Sequence, residues 1–239
     1  QQAFAQRIEE NTWMTAATKK KAIEKLQAFD IKIGYPDKWQ NMDSVFVIDD
    51  NKSLIENVKA VQEAAMKYRI AKRWGKPVDK KEWHMTPQTV NAYYDPTTNS
   101  INFPAAILQP PFFDPTVDDA ANYGAIGAVI GHEMSHGFDD QGCQFDKDGN
   151  MKNWWTEEDK KNYDARTKVL VDWFNKQEVI PGLYVNGEKT LGENIGDNGG
   201  LNIAFRALEN SMKAKPLSDM DGFTPAQRFF LAWGRVWAS

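Results

Sequence analysis

Two of the chain's three histidines fall within GHEMSHGFDD, residues 131–140. His132 and His136 stand four positions apart. On an α-helix that spacing leaves their side chains about 40° apart round the axis and roughly 6 Å along it. Two imidazoles so placed reach a common Zn²⁺ at about 2.0–2.1 Å. Glu133 points about 100° further round. From there it serves a water on the same metal rather than the metal itself, which is the place for a general base. Chance is a weak competitor. With 3 His and 33 acidic residues in 239, a string H-[DE]-x-x-H arises somewhere with a probability of about half a per cent. The flank GAVIG, residues 127–131, reads as a close-packed, buried helix surface. Histidines beside such a surface are costly to bury without a partner.

A catalytic zinc takes three protein ligands and keeps one position open. The remaining histidine, His84, stands in EWHMTP with no supporting pattern and reads as a structural or surface residue. A carboxylate is then the natural third ligand. TLGENIGDNGG, residues 190–200, offers Glu193 and Asp197, again four apart and so on one helix face. Glu193 would ligate, and Asp197 would accept the free N–H of a zinc histidine and fix its tautomer. Taken alone, Glu193 also fits a capping box with Thr190, and Asp197 fits a solvated helix acid. Beside HEMSH, which needs a third ligand, the ligand reading wins. Asp139 is placed either to orient His136 or simply to close the helix.

Other chemistries fit less well. Ser135-His136-Gly137 is half of a nucleophile elbow, but Glu133 stands where the first glycine is required. DKDGN, residues 146–150, resembles the start of a calcium loop, yet the sixth position is Met151 instead of glycine. Cys143 is the chain's one cysteine. It excludes an internal disulfide and reads as an incidental thiol.

The elements that must position these residues follow from apolar spacing. Residues 1–29 read as helical, with Lys19-Lys20-Lys21 and Glu24-Lys25 punctuating Ile23, Leu26 and Phe29; the lysine run reads as a solvated face. Gly34 and Pro36 break the pattern in IKIGYP. A second helix is expected over 53–74. TVNAYY (89–94) and INF (101–103) read as strands joined by the turn DPTTNS. A long helix is expected over 117–136, with Thr116 as its N-cap and Gly137 as its stop. Further helices are expected over 157–176, about 193–212, and from 224 onward.

The net charge of −4 supplies no cationic field for nucleic acid. No apolar run approaches the roughly 18 residues of a membrane span. The chain opens on Gln1-Gln2 and stops at Trp237-Ala238-Ser239, as a piece of a longer protein would.

Taken together, these motifs resemble the neprilysin-like zinc endopeptidases, a family that includes endothelin-converting enzymes and bacterial oligopeptidases. The resemblance runs through WMTAATKKKAIEKL, IGYPDKW, VNAYYDPTTNSINFPAAILQPPFF, NYGAIGAVIGHEMSHGFDDQG, DGNMKNWWT, LGENIGDNGGL and FFLAWGRVW. It implies an α+β fold, mainly helical, of the thermolysin-like zinc peptidase kind with a small edge-strand sheet. It implies one Zn²⁺ per chain on His132, His136 and Glu193, with Glu133 as catalytic base. Asp197 and Asp139 match the acids that orient the first and second zinc histidines. Asn91 and Ala92 match the edge strand that holds the substrate backbone. Ile107, Phe112, Val129, Val236 and Trp237 match the pocket for the side chain after the scissile bond, so cleavage is expected on the N-terminal side of hydrophobic residues in peptide substrates.

The same resemblance divides the chain into 1–33, a helical tail of a cap domain, and 34–239, a catalytic domain without its C-terminal end. The family's His and Arg in a later HS…RV segment lie beyond this chain, and Arg235 does not take their place. The cap and that C-terminal segment are therefore the expected intramolecular partners. Eukaryotic members usually carry Cys after the VW pair. Ala238 stands there, which points to a bacterial, disulfide-free member working outside the cytoplasm, in the periplasm or cell envelope. The competing readings are a zinc-binding but inactive piece and a helical interaction domain without catalysis.

Overall fold

Small polar side chains start the helices. Thr15, Ser53, Asp118, Thr156 and Thr224 each accept the amide hydrogen of the third residue onward, which satisfies an N–H with no intrahelical partner. The computed structural model describes residues 1–238. In chain order it contains α1 Gln2–Glu10, α2 Ala16–Gln27, β1 Asp30–Gly34, α3 Leu54–Arg73, β2 Tyr93–Asp95 and β3 Ser100–Pro104. There follow α4 Asp119–Asn122, α5 Ala128–His136, α6 Glu157–Phe174, β4 Glu178–Ile180, β5 Leu183–Tyr184, α7 Leu191–Ala214 and α8 Pro225–Val236. The fold is α+β, mainly helical with a small sheet.

Contacts divide the chain into two compact units, residues 1–35 with 85–238, and Pro36–His84. In the smaller unit α3 starts on a Ser53–Glu56 capping box. Buried Asn57 closes the preceding loop by donating to the carbonyls of Asp49 (2.9 Å) and Lys52 (3.3 Å). His84 is exposed and belongs to this unit.

In the larger unit β3 is the central strand. It pairs in parallel with β1, Ile31 facing Ile101, and antiparallel with β2, Tyr94 facing Ile101. The order β1-β3-β2 leaves β2 at an edge. The main core joins Leu26, Phe29, Phe103, Ile107, Val129, Met134, Trp154 and Trp155. A second cluster gathers Ala128, Leu208 and Phe229.

Several sequence expectations shift. Residues 1–29 are two helices, because the Asn11 side chain accepts the amides of Trp13 and Met14 (2.9 and 3.2 Å) and turns the chain there. The break read at IKIGYP contains strand β1, whose partner β3 is distant in sequence. TVNAYY is strand only from Tyr93, so Asn91 and Ala92 precede the edge strand. Thr116 is not an N-cap. Its hydroxyl and amide are spent on Asp114 (2.6 and 2.8 Å), and Asp118 caps instead.

The expected single helix over 117–136 is three pieces, α4, a π-helical turn Tyr123–Gly127, and α5. The Ile126 amide leaves the helical ladder to donate to Phe112 O at 2.9 Å, an insertion of the kind that produces a π-bulge. Gly124 lies in that turn against α8, where a Cβ would stand 2.0 Å from Phe229 O.

Candidate metal centre

The centre depends on α5 and α7 lying closer than ordinary side chains allow. A Cβ on Gly200 would fall 2.5 Å from His132 N and 2.6 Å from Ala128 O, both backbone atoms of α5. Helices at this separation need glycine at the contact. Gly200→Ala is therefore expected to push the helices apart, at a cost of about 3 kcal/mol, and to weaken metal binding with it. Denaturant unfolding and metal titration of the variant check both; wild-type values in either would contradict the close-contact argument.

That approach brings the sequence-predicted ligands together. His132 and His136 present rings with centroids 4.5 Å apart and planes at 89°. Glu193 Oε2, from the first turn of α7, lies 3.2 Å from His132 Nε2 and 3.8 Å from His136 Nε2. Among the described residues, these three side chains form the one group whose ligand atoms meet as a metal site would, all within 4.8 Å of one another. His84 is not among them. The capping alternative for Glu193 does not form, because Thr190 makes no side-chain cap bond.

The other nitrogen of each ring is taken by a carboxylate. His132 Nδ1 lies 2.9 Å from Asp197 Oδ1, and His136 Nδ1 lies 2.7 Å from Asp139 Oδ2. A proton on each Nδ1, donated to its carboxylate, would leave the Nε2 lone pairs free to ligate. Two imidazole nitrogens and one carboxylate oxygen are a donor set suited to Zn²⁺, so the residues present fit that ion. Burial works against a charge on the His136 imidazole. The hydrogen bond to Asp139 and the charges of Glu133, Asp139 and Glu193 outweigh it and raise its pKa.

Glu133 is buried, at 5% exposure, on the same helix. Its Oε2 has no hydrogen-bond partner. Burial pushes its carboxyl above the usual range, against the pull of His136 and His132. The Tyr94 backbone of β2 adds a weaker pull in the same direction as the histidines. A backbone neighbour leaves no mark in residue types, so sequence reading missed it. The arrangement has the parts for proton transfer at a metal: three convergent donors, and a carboxylate oxygen with free capacity.

Of the remaining predicted residues, Asn91 is exposed and Ala92 buried, directly before edge strand β2. Ile107 and Val129 lie in the main core, and Phe112 packs against that core. Val236 is buried at the end of α8, whereas Trp237 is 59% exposed and meets Trp233 edge-on at 5.6 Å. Cys143 is buried, and that burial pushes its thiol up to about 11, a neutral and unreactive group.

The profile of Peptidase family M13 matches residues 91–239, and the family's N-terminal profile matches residues 1–36. The chain belongs to peptidase family M13. Neprilysin-11 of Caenorhabditis elegans is 41% identical over 247 residues, spanning 98% of this M13 chain and 29% of that protein. Neprilysin of Homo sapiens is 39% identical over 259 residues, 99% of this chain and 33% of that protein. The Mycobacterium tuberculosis zinc metalloprotease ZMP1, solved with an inhibitor, superposes with a TM-score of 0.92 at 49% identity, over 99% of this chain and 36% of that one. The M13 chain thus spans about a third of the length of the relatives it matches. No described helix is long and apolar enough to cross a membrane.

Proposed function

We propose that this chain is the zinc-bearing catalytic part of an M13 metalloendopeptidase of the oligopeptidase type. The observation that carries this reading is the His–His–Glu donor set beside a buried carboxylate with an unpartnered oxygen. His132 Nε2, His136 Nε2 and Glu193 would hold one Zn²⁺. When bound, that ion supplies Lewis acidity toward a peptide carbonyl and makes water acidic near neutral pH. Glu133 takes the water's proton and delivers it to the leaving amine. Asp197 and Asp139 hold the two imidazoles in the tautomer that ligates.

The position of β2 at the edge of the sheet, directly after Asn91 and Ala92, suits an extended peptide that adds a strand. Ile107, Phe112, Val129, Val236 and Trp237 would receive the hydrophobic side chain after the cleaved bond. The working location is outside the cytoplasm, in line with a bacterial member. The cap that residues 1–33 would join and a later C-terminal segment complete the enzyme.

Two measurements test this. Metal analysis of the folded chain should return one zinc per molecule, and a quenched peptide should be cut by the chain but not by Glu133→Gln. Folded protein without zinc would sink the proposal. Zinc without cleavage would support a second reading, favoured by the chain's third-length span: a zinc-holding unit that turns over peptides only within a longer protein.

The orienting acids make a separate prediction. Asp197→Ala should weaken zinc binding roughly 10- to 100-fold, since His132 loses the partner that fixes its ring. Competition against a zinc-chelating dye measures it, and unchanged affinity would remove Asp197 from the site.

A further inference from the structure

Lys25 reads in the sequence as one more charge on a helix face. It is 1% exposed. From α2 its ammonium donates to the carbonyl oxygens of Gly137, Gly142 and Phe145, each at 2.7 Å. An ammonium has three N–H groups, and all three are spent. The rings of Tyr94, Phe138 and Trp154 surround it, with centroids 5.9, 5.6 and 5.8 Å from Nζ. Burial lowers its pKa to about 8, against the opposing pull of the Asp139 and Asp146 carboxylates.

A buried charge is expensive unless fully hydrogen-bonded. What this one grips is the turn leaving the HEMSH helix. Gly137 directly follows His136 and caps α5. The turn then doubles back over the helix end, where a Cβ on Gly142 would stand 1.8 Å from His136 O. Asp139 lies within the turn. Its Oδ1 accepts the amides of Gln141 (2.9 Å) and Gly142 (2.7 Å), and its Oδ2 meets His136 Nδ1. Gly142 is therefore held on both sides, its N–H by Asp139 and its C=O by Lys25. The cation also sits at the C-terminal end of α5, where the helix dipole favours positive charge.

We propose that Lys25 is a positioning residue for the metal centre: by clamping the carbonyls of Gly137, Gly142 and Phe145 it fixes Asp139 against His136, and so sets how tightly the site holds zinc. The inference rests on the reading that His132, His136 and Glu193 bind that ion. It assigns the centre a support reaching from α2 to the far end of the ligand helix. The clamp touches no ligand and no substrate, so its signature is a change in metal affinity at intact fold.

The test is zinc affinity of the folded chain, by chelator competition well below the unfolding temperature. Lys25→Met, which keeps an unbranched apolar stem and removes the donors, is expected to bind zinc roughly 10- to 100-fold more weakly. Phe229→Leu, in the second core cluster, serves as the comparator. It should lower the melting temperature yet leave zinc affinity unchanged, which separates positioning from general stability. In an Asp139→Ala background, Lys25→Met should add no further loss, because the two act in series. Wild-type affinity in Lys25→Met, or a fully additive loss in the double variant, overturns the clamp. Should Lys25→Met fail to fold, Lys25→Arg decides by the same measurement: its fork cannot place three N–H groups on one point, and unchanged affinity overturns the proposal. A folded wild-type chain that binds no zinc overturns the metal reading itself, and the clamp with it.

Discussion

Replacing Glu133 by Gln is expected to cut peptide hydrolysis by roughly 10²- to 10⁴-fold, the usual contribution of a positioned acid–base group, while zinc content stays at the wild-type level. Glutamine keeps the length and shape of the side chain. It loses only the ability to take a proton. Zinc is retained because the donor atoms that converge are His132, His136 and Glu193, and Glu133 is not among them. The decisive pair of measurements is metal content and turnover of a quenched peptide on the same preparation. Loss of zinc together with activity would make Glu133 a ligand; preserved activity would place the base elsewhere.

A second readout needs no turnover. Glu133 is buried with one oxygen unpartnered, and burial opposes its ionisation. The metal-free fold therefore carries a carboxylate at the expense of stability, as functional sites do. Metal-free Glu133→Gln should unfold at no lower denaturant concentration than wild type.

What sequence could and could not reveal follows from the range of the interactions involved. The convergence of His132, His136 and Glu193 was legible, since each pairing is a helical repeat and zinc chemistry supplies the missing third donor. Most helices were legible from apolar spacing and caps. Strand β1 was not. Four of its five residues are exposed or half-buried, its partner lies far along the chain, and Gly34 and Pro36 mask it. The π-turn depends on the Phe112 carbonyl capturing the Ile126 amide, which no local pattern encodes. Thr116 failed as a cap because Asp114 competed for it. Lys25 carries no local sign of its burial. Beside Glu24 on a charged helix it looks solvated, and only three carbonyls more than a hundred residues away make its burial tolerable. Glycines 196 and 200 carried a signal that was available: repeated glycine inside a helix marks a close neighbour, here the ligand helix itself.

Asp159 is expected to show the largest stability effect outside the metal centre. Its side chain is fully buried. It accepts the Thr15 amide (2.8 Å) and the hydroxyls of Thr15 and Thr18 (2.5 Å each) and of Thr156 (2.7 Å). Thr15 caps α2 and Thr156 caps α6, so one carboxylate ties two helix starts together. It also lies where both helix dipoles favour negative charge. Asp159→Ala strands four donors and should cost about 3 kcal/mol in denaturant unfolding. Burial alone would raise this carboxyl's pKa. The hydrogen bonds from Thr15, Thr18 and Thr156 outweigh burial and hold it down at about 2, from an ordinary 3.8. With the folded value depressed, the unfolded chain binds the extra proton. The contribution is therefore complete above about pH 4 and is lost as pH falls from there toward 2, about 2 kcal/mol in all. The difference in unfolding free energy between wild type and Asp159→Asn should accordingly shrink through that window. A difference that stays constant from pH 5 to pH 2 would mean the carboxylate is not the group that holds α2 and α6 together.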